Sequence, residues 1–127
     1  MKKRWMAAAL AGVMFMASGM AVSAESLTRS IGGMSFTAYS SAYKAGADAG
    51  TVSDKSQLSM SVSATYGYVN TTTYVSGTTP KSTSGSAAAA VSFSAPKNCQ
   101  SVGVNASHTA SAGSESWSGS TSATYPN

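Results

Sequence analysis

This sequence of 127 residues predicts a small all-β fold, an antiparallel β-sandwich of about six strands that follows a cleaved signal peptide. Three observations carry that expectation. Apolar and polar residues alternate with period two in segment after segment, the pattern of strands with one face buried and one face wet. Clusters of Gly, Pro, Asn, Asp and Ser separate those segments and supply turns. Past the N-terminal apolar stretch, no segment has the length and 3.6-residue period of a helix.

The elements follow in chain order. Lys2, Lys3 and Arg4 form a basic start, Met6 to Val22 carry no charge, and Val22-Ser23-Ala24 ends in small side chains. That is the layout of a secretory signal peptide spanning residues 1–24, cleaved after Ala24. Residues 25–33 lead into a single domain, residues 34–127, and the product is expected outside the cell. In GMSFTAYSSAY the first strand sets Met34, Phe36 and Ala38 against Ser35, Thr37, Tyr39, Ser41 and Tyr43. In QLSMSVSATYGY the second sets Leu58, Met60, Val62, Ala64 and Tyr66 against Ser59, Ser61, Ser63 and Thr65. A weaker third lies in VNTTTYV, residues 69–75, unless it continues the second through a kink at Gly67, where a missing side chain permits a bend. The fourth, SAAAAVSFSA, presents Ala89, Val91 and Phe93 in one phase. The fifth, SVGVNASHTA, presents Val102, Val104, Ala106 and His108, and the sixth, SWSGSTSATY, presents Trp117, Thr121 and Ala123. The separators AGADAGTVSD (45–54) and SGTTPKSTSG (76–85) read as long turns. APKNC (95–99) and SAGSE (111–115) are short enough for hairpins, so the last three strands are expected to run as a meander.

Charge narrows the partners. The full chain carries a formal net charge of +4, but three of its basic residues sit in the leader, and residues 25–127 retain only +1. No basic run survives, which argues against nucleic acid and against an anionic membrane. No later segment is apolar enough to span a bilayer as a helix. Residues 25–127 contain 24 Ser and 13 Thr, more than a third of that stretch. With so few charges, disorder by self-repulsion is not the expected consequence of this composition.

Motifs for chemistry are sparse. His108 is the only histidine and falls in an apolar phase, where a core histidine satisfied by a hydroxyl is the ordinary outcome. GxSxG after the leader, HExxH, a P-loop and paired metal-binding cysteines are all missing, so the chain is read as non-catalytic, with no cofactor and no metal. Asp48 and Asp54 fall together in the 45–54 turn but lack the pattern of a calcium loop. Cys99 stands alone and is read as a small packed residue at a strand start, with a cross-link between copies as the other possibility. Asn70-Thr71-Thr72 and Asn105-Ala106-Ser107 match the glycosylation sequon, a pattern that arises by chance in such a Ser/Thr-rich chain.

The aromatic residues give the best functional lead. Tyr39 and Tyr43 share the hydroxyl phase of the first strand, roughly 13 Å apart, and Tyr68 and Tyr74 flank the third. Rings and small hydroxyls on an uncharged face suit a sugar chain, so Tyr39, Tyr43, Tyr68 and Tyr74 are the candidate ligand-binding residues. The expected function is a secreted, non-catalytic sandwich that binds a glycan or another cell-surface partner. A self-associating extracellular structural protein is an alternative, because charge is scarce on the strands that would protect sheet edges. Ser40-Ser41-Ala42-Tyr43, in a short Ser-rich all-β chain, also resembles the lactococcin-type secreted β-sandwich bacteriocins. The likeness covers a few residues and the architecture, and the aromatic-rich C-terminal strand of that group is missing here. It implies an inhibitor directed at the cell walls of neighbouring bacteria.

Overall fold

The computed structural model describes residues 21–126. The predicted leader up to residue 20 lies outside the described residues. The eight strands are β1 (Ala21–Ile31), β2 (Met34–Tyr43), β3 (Gly46–Ser53), β4 (Ser59–Asn70), β5 (Ser76–Ser86), β6 (Ala88–Ser94), β7 (Cys99–Ala112) and β8 (Glu115–Thr124). They form two antiparallel four-stranded sheets, sheet A in the order β1-β2-β3-β6 and sheet B in the order β5-β4-β7-β8.

The all-β sandwich expected from the sequence is therefore present, with eight strands rather than about six. Three strands lie where the sequence suggested a lead-in or a turn. β1 occupies the lead-in and takes in Ala24, and it closes a hairpin with β2 through Gly32 and Gly33, both at positive φ. Glycine adopts that left-handed geometry without the steric cost other residues meet. β3 is built mostly from Gly, Ala, Asp and Thr, with Val52 its one larger apolar residue, so it lacks the apolar alternation that marks a strand by eye. Its small residues are required by packing, since a Cβ on Gly46 would sit 2.1 Å from the carbonyl oxygen of Phe93. β5 carries Pro80, which an edge strand tolerates because one side of its backbone needs no partner. Conversely, the strand expected over 69–75 is mostly turn: β4 ends at Asn70, whose side-chain Oδ1 accepts the N–H groups of Thr72 (2.8 Å) and Thr73 (2.9 Å).

The predicted meander holds for β7 and β8, joined through Gly113 and Ser114. It does not hold for β6 and β7, because the 95–98 segment carries the chain from sheet A to sheet B. Ala87, at φ 67°, makes the reverse crossing between β5 and β6. Two crossings on either side of β6 leave it pairing with β3 instead of its sequence neighbours.

The core lies between the sheets. Phe36 meets Trp117 edge-on at 5.0 Å between ring centroids, and Tyr66 stacks on Phe93 at 5.1 Å. Leu58, Met60, Val62 and Val104 fill the space around them, and Ala42, Ala47, Ala49 and Ala106 let the sheets approach. Gly67 lies beside a register shift between β4 and β7, but the extra residue is Val102 on β7, and β4 runs as one strand from Ser59 to Asn70.

Candidate functional site: a hydroxyl grid on sheet B

Strand register places the polar phase of sheet B in rows that run across all four strands. One row is Ser86, Ser59, Ser111 and Ser116, the next Ser84, Ser61, Thr109 and Ser118, and the third Ser82, Ser63, Ser107 and Ser120. A fourth row is Pro80, Thr65, Asn105 and Ser122. Of these 16 positions, 14 carry a hydroxyl, and none carries a charge or an aromatic ring. Neighbours lie about 4.8 Å apart across the strands and about 6.7 Å apart along them. All are exposed or half-exposed. Some pair with each other, as Ser61 and Thr109 do through their hydroxyl oxygens.

Over part of this grid the surface is a shallow groove of about 580 Å³ lined by Ser63, Thr65, Asn105, Ser107, Ser120 and Ser122. Its one charged lining residue is Glu25, which reaches over from β1. One Glu25 oxygen accepts the backbone N–H of Ser122 at 2.7 Å, tying β1 to β8. The groove thus offers many neutral donors and acceptors and one carboxylate at its rim.

A second set of hydroxyls lies in the core. His108, 1% exposed, hydrogen bonds through Nδ1 to Thr51 (2.9 Å) and through Nε2 to Thr121 (2.7 Å), and Thr121 in turn meets Ser40. Thr51 donates to the Ser61 carbonyl at 3.1 Å, so its oxygen must accept from the imidazole, which fixes the proton on Nδ1. Nε2 then accepts from Thr121, and Thr121 accepts from Ser40. The chain runs in one direction, Ser40 to Thr121 to His108 to Thr51 to the Ser61 carbonyl. It links β2 and β3 of sheet A with β7, β8 and β4 of sheet B. Burial pushes the His108 pKa down to about 4, with the Glu25 carboxylate pulling weakly the other way. A neutral imidazole locked between two hydroxyls, without a carboxylate behind Nδ1, has the geometry of a core strut and not of a Ser-His-Asp constellation.

The four tyrosines do not meet on one surface. Tyr39 lies on β2 and is 6% exposed, its ring resting where a Cβ on Gly50 would come within 2.9 Å of it. Burial first, then the nearby Asp48 carboxylate, raises its pKa to about 12. Tyr43 closes β2 and is half-buried. Tyr68 packs against the core and covers Gly77, and Tyr74 is 79% exposed in the turn after β4. The hydroxyl grid itself contains no tyrosine.

The other candidates are separated as well. Asp48 belongs to β3, is buried and accepts from Ser92 at 2.7 Å, whereas Asp54 lies beyond that strand. Among the described residues, no group of three or more His, Cys, Asp or Glu gathers as a metal site. Cys99 starts β7, half-buried, with a free thiol. Sequence reading missed the contributions of β5 and Glu25 to the grid. The alternation of Ser82, Ser84 and Ser86 was the available signal for β5. No protein-family model matches this chain, and no curated protein matches it either.

Proposed function

We propose that this protein is an exported, non-catalytic binding module that engages a neutral glycan on a cell or matrix surface through the outer face of sheet B. The observation that carries the reading is the grid of 14 hydroxyls at 16 registered positions. Each hydroxyl can both donate and accept, which matches a polyhydroxylated ligand in a way that charge or apolar area would not. Lysine and arginine are missing from the face, which disfavours nucleic acid and anionic lipid. The Glu25 carboxylate at the rim disfavours sulfated or carboxylated sugars. The edges of sheet B are guarded: Glu25 takes the Ser122 N–H on β8, and Pro80 and Lys81 sit in the edge strand β5. Such edges discourage strand addition by further copies.

The test is binding of the purified chain, residues 25–127, to soluble laminarin, mannan and chitohexaose and to insoluble cellulose and chitin. Ser107→Arg and Ser63→Arg each place a long cation in the groove. Each is expected to weaken binding by about tenfold or more while leaving the circular dichroism spectrum unchanged. Failure to bind any neutral glycan, or equal binding by both arginine variants, overturns the reading.

A further inference from the structure

The hydroxyl rows supply hydrogen bonds but no apolar surface, and a sugar ring also has a flat C–H face to cover. One row beyond the groove, the grid changes character: Thr65 and Asn105 give way to Gly67 opposite Gly103. The register shift at this point leaves Val102 as an extra residue on β7, and its side chain is 47% exposed. Its Cβ lies 3.8 Å from where a Cβ on Gly67 would stand.

The two glycines are not equivalent. A Cβ on Gly103 would meet the Ala123 carbonyl oxygen at 2.6 Å, so packing against β8 demands a glycine there. A Cβ on Gly67 would meet only Val102 at 3.8 Å and the Gly103 oxygen at 3.9 Å, both ordinary contacts. Gly67 is also not among the glycines at positive φ. A mid-strand glycine costs about 0.5–1 kcal/mol relative to alanine, and here neither packing nor backbone conformation asks for it. A strand glycine otherwise marks a bulge or a close approach of a ligand to the backbone. The bulge here puts its extra residue, Val102, on β7 and asks for no glycine on β4, which leaves the ligand.

We infer that Gly67 and Val102 form the apolar floor of the binding site, on which one sugar ring of a neutral glycan rests while Thr65, Asn105 and Ser122 hold its hydroxyls. The inference rests on the glycan reading above and names the place where a ring seats. The ring lies flat on the bare Gly67 backbone with its C–H face against the Val102 methyls, and the rest of the chain runs into the hydroxyl groove. Other occupants fit less well. A second copy of the chain would bury rows of hydroxyls against each other, and each one left unpaired costs about 1–3 kcal/mol. A lipid surface would find a single exposed valine among hydroxyls.

Gly67→Ala is the discriminating variant because it adds one methyl at a position with room for it. Its melting temperature is expected to equal or exceed that of the parent. Its affinity for whichever of laminarin, mannan or chitohexaose binds the parent, measured by titration calorimetry, is expected to fall by about tenfold. Val102→Ser, which removes apolar surface without adding bulk, is expected to show a similar loss. Ser94→Ala, exposed on β6 of sheet A and away from the grid, serves as the control and should bind like the parent. If Gly67→Ala and Val102→Ser bind like the parent while Ser107→Arg does not, the floor is wrong and the hydroxyl face stands. If Ser107→Arg also binds like the parent, the face itself is wrong and the floor falls with it.

Discussion

Serine and threonine do two opposite jobs in this molecule, and the contrast lies within single strands. On β8, Thr121 points into the core and is hydrogen bonded on both sides, to His108 and to Ser40. Its neighbours Ser120 and Ser122 point outward, exposed to solvent. The inner hydroxyls around His108 are few and each is matched to a specific partner. The outer ones are many and interchangeable, and water can satisfy any of them. A buried hydroxyl is therefore expected to matter for stability, and an exposed one only for what it touches. That difference can be broken from either side.

Acid is expected to have the largest effect. The His108 pKa is about 4 in the folded protein against an ordinary value of 6.5. The unfolded chain therefore takes up a proton on His108 before the folded one does. Stability is unaffected by this group above about pH 6.5 and falls as the pH drops from there towards 4, by about 3 kcal/mol in all. Urea unfolding at a series of pH values checks the slope. Because His108 is the sole histidine, its ring signals in an NMR titration report the folded pKa directly. A ring that titrates near 6.5 would contradict the buried, neutral assignment.

Thr121→Val comes next. It preserves shape but leaves His108 Nε2 without its donor and the Ser40 hydroxyl without its acceptor. The expected loss is about 2 kcal/mol, since each orphaned buried polar group costs on the order of 1–3 kcal/mol. Ser40→Ala, which removes only the end of the chain and orphans no nitrogen, should cost less. Equal losses from the two would mean that the hydrogen-bond chain is not directional.

The legibility of these features in the sequence divided along the same line. β4, β7 and β8 were readable because large apolar residues such as Met60, Val104 and Trp117 alternate with serines. Their inward phase was readable too, His108 included, except at the start of β7, where the register shift turns Val102 outward and buries Ser101 against the alternation. β3 and β5 were not, because strands made of Gly, Ala, Ser and Thr carry no hydrophobic contrast between their faces. β3 shows why: Gly50 lies under the Tyr39 ring and Gly46 against the Phe93 backbone, so bulk is excluded by neighbours that are distant in sequence. The same distance effect removed Tyr39 from the expected ligand face. Alternation said that it points away from Phe36, but it could not say that the position is buried. The grid was half legible, since each serine phase was visible while the register that aligns four of them is set by pairing across the sheet.

The arginine and alanine substitutions on the grid sharpen the comparison from its weak side. Ser107→Arg is expected to leave stability within about 0.5 kcal/mol of the parent, as surface changes usually do, while weakening glycan binding. Ser107→Ala should be smaller still on both counts. One of the 14 registered hydroxyls can be replaced by water bridging to the next row, with a loss of about twofold or less in affinity. Redundancy of this kind predicts a graded response. Affinity should decline stepwise as Ser63, Ser107 and Ser120 are changed to alanine one after another in calorimetric titrations, with stability nearly constant throughout. An abrupt loss at the first alanine would mark that serine as a dedicated contact, and the outer hydroxyls would then be as individually assigned as those around His108.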